Sequence, residues 1–524
     1  MSSGRIWSTE QQAIFSWFER GEGHLVVRAR AGTGKTTTIL EGVRRAPVDG
    51  RILVAAFNKS IAQELQKRLQ DVGADHVEAK TLHALGFASL RRARRSLRVT
   101  EERTDTITRA GIDGAVQELG LTFALPREVP SLVRRLHTRL RETLPHVHTT
   151  DDALEAAVEV AYAADLYPEA ETADAGWTTE AIASAALHGM VYAALDTGEI
   201  DFADMIFLPL VWGTLRATYS LVVVDEAQDM TTAQLELATG LCERSGRIAV
   251  VGDDRQAIYG FRGADSGSLD RLKAELKAVE MGLCTTYRCG KTIVAEAQRL
   301  VTDIVAAPGN VDGDVSTTSE ARAKLDVQEG DFVLSRLNAP LVPYALEMFR
   351  AGKRVHIRGR DLGKSLVALV RKMRSSSLMT LSSALDRWLA KEAKKLANRG
   401  EAGEKVLERR RDQREFLAEI MDDPSIQTVQ QLEQTIEALF ADDGDAGSIM
   451  LSTVHRAKGL EANRVFVLRD TFRLTGPEEK NLEYVAITRA KNDLRYVTKE
   501  NPNADPGPQD GGVVFPIELA RLPA

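Results

Sequence analysis

The sequence predicts an α/β fold: two parallel-sheet cores of the phosphate-loop type, interrupted by two mainly helical insertions. Three observations predict it. Near-continuous β-branched runs alternate with helical patterns. A glycine-rich loop follows the first run and opens a helix. Two long stretches carry helical composition and few strand signals. At 524 residues the chain exceeds what one hydrophobic core supports, so roughly three or four folding units are expected.

The first core is predicted in 1–90 and 196–275, from the runs HLVVRA, RILVAAF, SLVVVDEA and RIAVVGD. Such runs suit parallel strands buried on both faces. The second core is predicted in 276–365 and 445–524, from DFVLSR, RVHIRG, SIMLSTV, NRVFVLR and DLRYV. Between them, 91–195 and 366–444 are rich in Ala, Arg, Glu and Leu and read as helical insertions. The segment NPNADPGPQDGG reads as a loop before a short final stretch.

Lys plus Arg number 68 and Asp plus Glu 75, a net charge of −7. An acidic body can still carry a positive groove, so this balance excludes no nucleic-acid partner. The run Arg91, Arg92, Arg94, Arg95 and Arg98 reads as a solvated helix face in preference to a phosphate contact. Cys242, Cys284 and Cys289 form no CxxC pair, which signals neither zinc nor a disulfide framework and fits a reducing cytoplasm. His146 and His148 have no partner ligands nearby and are not read as a metal site. The amino-terminal stretch has no apolar run of secretory type, and no segment is long and apolar enough to span a bilayer.

The sharpest motif is ARAGTGKTT, Ala29, Arg30, Ala31, Gly32, Thr33, Gly34, Lys35, Thr36 and Thr37. Gly32 and Gly34 let the backbone wrap phosphate oxygens, and the helix N-terminus points its N–H groups at the anion. Lys35 is placed to reach the β- and γ-phosphates of ATP, and the Thr36 hydroxyl to ligate Mg²⁺. Ala29 stands where the strict pattern has Gly. The run VVVDEAQD ends a strand in two carboxylates. Asp225 is placed to hold the Mg²⁺, and Glu226 to orient and deprotonate water. Together the two motifs specify ATP hydrolysis.

ARAGTGKTT, TLHALGF, VVVDEAQD, VVGDDRQAIYGFRGA, TTYRC, STVHRAKGLE and EYVAITRAK occur in that order. The set resembles superfamily 1 helicases of the UvrD/Rep type. The length and the AFNK segment resemble the compact core of F-box DNA helicases, with no F-box visible. The resemblance implies two RecA-like cores that close around ATP. It implies that Gln11 reads the adenine edge, Gln256 senses the γ-phosphate, and Glu461 contacts the ribose. It also implies that Arg288 and Arg489 act as arginine fingers from the second core.

For DNA, the resemblance marks Phe57, Asn58, Thr81, His83, Thr453 and His455. It also marks the segment from Gln256 to Arg262, where Tyr259 and Phe261 are aromatic platforms for bases. Arg336 and Arg358 are further phosphate-contact candidates. The implied activity is an ATP-dependent, DNA-stimulated helicase or translocase on single-stranded DNA and its junctions with duplex, moving 3′ to 5′. A second reading makes the chain an ATPase subunit of a repair or defence complex, gating a partner nuclease with little unwinding of its own. A third is a nucleotide hydrolase indifferent to nucleic acid.

Overall fold

The computed structural model describes residues 6–20, 22–48, 50–56, 58–121, 125–147, 152–195, 198–258, 267–397, 400–440, 447–473 and 476–499. In chain order its strands are β1 (Leu25–Ala29), β2 (Ile52–Ala56), β3 (Val77–Thr81), β4 (Arg98–Val99), β5 (Glu199–Ile200), β6 (Tyr219–Val224), β7 (Cys242–Gly252), β8 (Val279–Leu283), β9 (Thr285–Thr286), β10 (Val305–Ala306), β11 (Asp314–Ser319), β12 (Phe332–Ser335), β13 (Val355–Ile357), β14 (Ile449–Thr453), β15 (Ala462–Leu468) and β16 (Ala490–Thr498). Two six-stranded sheets, ordered β3-β2-β6-β7-β1-β8 and β11-β16-β15-β12-β14-β13, organise the chain. Every pairing in them is parallel.

The apolar runs become the central strands because both faces of each sheet are covered. On β1, Leu25 and Val27 pack with Ile39 and Val43 on one face, while Val26 packs with Val222 and Val250 on the other. The second sheet is sandwiched in the same way, with Leu334 and Val465 on one side and Val333 and Phe466 on the other. In a parallel sheet every strand ends on the same edge, where ligands collect. On the first sheet that edge receives the residues after Ala29, Ala56, Thr81, Val224 and Gly252.

The expected α/β architecture is present, with one correction to its limits. β8 lies in the stretch read as second core, yet it pairs with β1 from Leu25↔Val279 to Ala29↔Leu283. Its sequence, VEMGL, is exposed at most positions. An edge strand of this kind lacks the apolar run that marks a central one. The chain therefore leaves the first sheet only after Leu283.

The first helical layer comprises Glu102–Leu119, Val129–Thr143, Ala153–Ala163, Ala170–Asp174 and Thr179–Leu195. Its core also takes Leu90, Phe207 and Leu208 from outside 91–195. Inside it Arg141 meets Asp201 (2.8 Å) and Asp204 (2.6 Å), all three buried. The second layer comprises Arg360–Lys372, Leu378–Leu396, Gly400–Met421 and Val429–Leu439, and packs on the second sheet through Leu366, Phe416 and Ile436. The layers touch where Tyr162 and Tyr167 pack against Leu396 and Val406. No described helix is long and apolar enough to cross a membrane.

Candidate active site

Helix α1 (Thr9–Arg20) precedes β1, and after β1 the chain turns through 30–34 into helix α2 (Lys35–Arg45). Gly32 and Gly34 are left-handed, at φ +71° and +79°. Gly32 is doubly constrained, because a Cβ there would stand 2.5 Å from Arg288 Cβ and 2.6 Å from Thr286 Oγ1. The loop thus closes directly against the segment entering the second core. The Ala31 N–H donates to the Tyr484 hydroxyl (3.0 Å), and the Tyr287 N–H to the Gly32 carbonyl (2.9 Å). The Arg30 side chain is a strut, ion-paired with Asp253, Asp254 and Asp303. Ala29 and Thr33 are fully buried.

The Lys35 ammonium meets Glu226 Oε2 at 2.8 Å. Burial pushes Lys35 down, but Glu226, Asp253 and Asp225 outweigh it and hold the ammonium above its ordinary value. Asp225 is buried, accepts from the Glu226 N–H (2.9 Å) and takes the Thr36 hydroxyl. Burial and the neighbouring Glu226 carboxylate raise Asp225. Burial also pushes Glu226 up, but Lys35 reverses the sign and holds it low. Glu226 keeps 37% of its side chain exposed at the cleft mouth, so no stability is assigned to the pair. Its backbone is left-handed at φ +51°, a strained conformation for a residue with a Cβ, held where the carboxylate must point.

From Glu226 a hydrogen-bonded path runs along the strand ends. Gln228 Nε2 donates to Glu226 (2.6 Å), its Oε1 accepts from the Asp253 N–H (3.0 Å), and Gln256 Nε2 donates to Asp253 (2.6 Å). Lys458 of the second core closes the path across the cleft, donating to Asp229 (2.5 Å) and the Gln256 carbonyl (2.6 Å). Asn481 adds bonds to the Asp254 and Ala257 carbonyls, each 3.3 Å.

Arg288 pairs with Glu461 at 2.6 Å, and Glu461 also holds Lys491 at 2.6 Å. Arg489 is buried, with its guanidinium donating to the carbonyls of Val485 and Leu460 (3.0 Å each) and to the Thr488 hydroxyl (3.3 Å). Burial, aided by the Arg288 charge, pushes Arg489 down to about 10. Gln11 is buried, donates to Thr38 (3.1 Å) and accepts from the Ser8 N–H (3.1 Å), bracing the first turn of α2.

Of the residues marked for DNA, Phe57, Tyr259, Phe261 and Arg262 lie outside the described residues, as does His148. Asn58 caps the helix α3 (Lys59–Asp71) by accepting from the Ile61 N–H, and Thr81 caps α4 (Leu82–Ala93) through the Ala84 N–H. His83 stacks on Phe202 with centroids 3.9 Å apart. Burial lowers its pKa to about 4, so the ring is neutral. Thr453 ends β14, and His455 lies in the single turn Val454–Ala457. Arg336 is held by Glu408 (2.9 Å) and Glu479 (2.8 Å) and is no free phosphate contact. Arg358 follows β13, and its carbonyl accepts from Arg456. His146 meets Glu236 at 2.9 Å.

Several positions that join the site escaped the sequence reading. Gln228, Asp253 and Lys458 lie inside quoted motifs but were not singled out. Tyr287 is 47% exposed beside the loop, and its place before Arg288 was the available signal. Glu10 accepts from the Cys284 and Thr285 N–H groups at 3.2 Å, a clamp between α1 and the crossover between the sheets.

A phosphate loop beside two strand-end carboxylates, packed against Arg288 where the chain enters the second core, makes a nucleotide-hydrolase site at the junction of two parallel-sheet cores. Comparison with known proteins places it further. Residues 7–277 match the UvrD/REP helicase N-terminal domain and 364–501 the UvrD-like helicase C-terminal domain. The chain belongs to the UvrD/REP helicase family, a family of ATP-dependent enzymes. It is 24% identical to the ATP-dependent DNA helicase PcrA of Leuconostoc citreum, over 66% of this chain and 47% of that protein. It is 26% identical to F-box DNA helicase protein 1 of Schizosaccharomyces pombe, over 90% of this chain and 55% of that one. It is 27% identical to the ATP-dependent DNA helicase UvrD2 of Mycobacterium tuberculosis, over 90% and 76%. The chain thus spans about half the length of the first two relatives.

Proposed function

We propose that this chain is an ATP-driven motor on single-stranded DNA, a helicase moving 3′ to 5′. The observation that carries the reading is the continuous path from Lys35 and Glu226 through Gln228 and Asp253 to Gln256, joined by Lys458 from the second core. A change at the phosphate end shifts groups at the segment that leads into 259–262, where the candidate base platforms lie. The likeness to helicases of the PcrA and UvrD2 kind supports DNA as substrate, and the motif forms around Gln256 and Glu461 support the polarity.

The Thr36 hydroxyl and Asp225 carboxylate are hard oxygen donors side by side, a set that fits Mg²⁺. When bound, that ion would neutralise charge between the phosphates. Lys35 exchanges Glu226 for phosphate oxygens when ATP enters. The released Glu226 then orients water and takes its proton. Arg288 and Arg489 stabilise charge on the transferring phosphoryl group only when the cores meet, so hydrolysis releases what ATP drew together.

The test is ATP turnover with single-stranded DNA, duplex DNA and RNA at fixed salt, alongside strand separation on a forked duplex. The reading expects stimulation by single-stranded DNA and separation of the fork. Turnover indifferent to nucleic acid overturns it. Stimulation without separation moves the chain to the ATPase-subunit reading, with a nuclease or repair factor as partner.

Glu10 should matter although it lies far from the phosphates. Glu10→Ala is expected to lower kcat about tenfold, roughly 1.4 kcal/mol, by loosening the segment that aims Arg288. In an Arg288→Ala background the same change should have little further effect, because the two act through one element. Full additivity in that double-mutant cycle would make Glu10 a structural residue only.

A further inference from the structure

The run Arg91, Arg92, Arg94, Arg95 and Arg98 has no part in the site above. All five are exposed. Two other arginine clusters are balanced: Arg44 and Arg45 by Glu41, and Arg410, Arg411 and Arg414 by Asp165, Glu404 and Asp386. This one is not. Among the described residues Arg91, Arg92, Arg94 and Arg95 form no ion pair, and only Arg98 reaches a carboxylate, Glu199 at 3.3 Å. The chain as a whole is acidic, with a net charge of −7, yet among the described residues only Glu199 pairs with this run.

Two of the guanidiniums rest on rings instead. Arg91 lies 5.8 Å from the Phe87 centroid and Arg94 5.2 Å from that of Trp212. The Trp212 N–H is fixed on the Ala194 carbonyl (2.7 Å), and Ser89 ties the neighbouring turn to α4 through the Thr214 carbonyl (2.7 Å). A guanidinium laid on a fixed ring keeps its N–H edge outward and loses little freedom on meeting an anion.

Register connects the patch to the DNA edge. His83, Phe87, Arg91 and Arg94 stand at i, i+4, i+8 and i+11, one stripe along α4 and the residue after it. At a helical rise of about 1.5 Å per residue, α4 places Arg94 about 17 Å from His83. That is about five phosphate spacings of a strand, at ~3.4 Å each. The exposed Phe202 ring at the far end of the stripe is stacked on His83. Phe87 and Trp212 lie under guanidiniums, so among the described residues the arginine patch offers phosphate contacts and no uncovered ring of its own. Single-strand tracks need such rings; a duplex backbone does not.

We propose that this arginine patch docks the phosphate backbone of duplex DNA, holding the paired arm of a fork while the single strand crosses the strand ends. The inference rests on the proposed DNA-motor function. The four unpaired arginines are replaced by Gln in one variant and by Lys in a second. Binding is measured across salt concentrations to a bare single strand, to the same strand with a duplex arm, and to polyglutamate. The Gln variant should lose fork affinity, and its slope of log K against log salt should flatten by about 0.9 per lost duplex phosphate contact. Single-strand affinity and basal ATP turnover should stay at the parent's level, and the Lys variant should restore most of the slope. Unchanged fork affinity and slope overturn the patch. So does an equal loss on the bare strand, with slopes falling by about 0.7 per contact, which makes it a single-strand contact. Loss confined to polyglutamate makes it a protein-docking surface instead. If the parent binds no DNA at low salt, the motor reading itself falls.

Discussion

Lys35→Ala is expected to abolish ATP turnover, a loss of at least about 10³, or roughly 4 kcal/mol in the barrier. The reason lies in what the ammonium neutralises. Glu226, Asp225 and Asp253 all bear on it, and Glu226 touches it at 2.8 Å. Without Lys35 the carboxylates face each other and the incoming phosphates with no cation between them. Glu226 also loses the partner that holds its pKa low and its carboxylate in place. ATP binding should weaken alongside turnover. Glu226→Gln separates the two effects. Gln keeps the shape and can still accept from Gln228, so the loop should bind a fluorescent ATP analogue while turnover falls by a comparable factor. Turnover equal to the parent in either variant would falsify the site assignment.

How much of this was legible in the sequence depended on where each residue gets its role. Central strands such as β1 and β6 are covered on both faces, and that burial is written as VVRA and LVVV. β3, β8 and β11 are not, and each lies at the edge of its sheet. Their sequences, VEAKT, VEMGL and DVSTTS, carry polar residues because edge strands keep exposed positions. The site divides in the same way. Lys35 and Asp225 could be named because local motif spacing singles them out. Gln228 gains its role from Asp253, 25 residues on, Lys458 from Asp229 across 229 residues, and Glu10 from Cys284 across 274. No local pattern encodes contacts of that span. The arginine run was visible as a run, but its lack of carboxylate partners is a property of the fold.

Arg489→Ala is expected to lower kcat by about 10³ or more while leaving ATP affinity within about tenfold, the signature of a group that acts on the transferring phosphoryl charge. Arg489 is held at a cost. Its guanidinium is buried, every bond that it makes goes to a neutral oxygen, and the like charge of Arg288 lies close enough to lower its pKa. Even at about 10 it stays protonated at neutral pH. A buried cation without a bonded anion is poorly compensated, and on the proposed mechanism a phosphate would supply the missing charge. Arg288 differs, since it is already paired with Glu461 and on the proposed mechanism would exchange that carboxylate for phosphate. Arg288→Ala should therefore lower turnover too, and should also change ATP affinity by releasing Glu461. Arg489→Gln separates charge from scaffold, because an amide can still donate to the Leu460 or Val485 carbonyl. Parent-like turnover in Arg489→Gln, with Arg489→Ala unfolding at lower temperature, would reduce Arg489 to a strut of the helix Pro477–Ile487. Loss of turnover in both, with Arg489→Gln folded and still binding the nucleotide, makes the charge itself the required element.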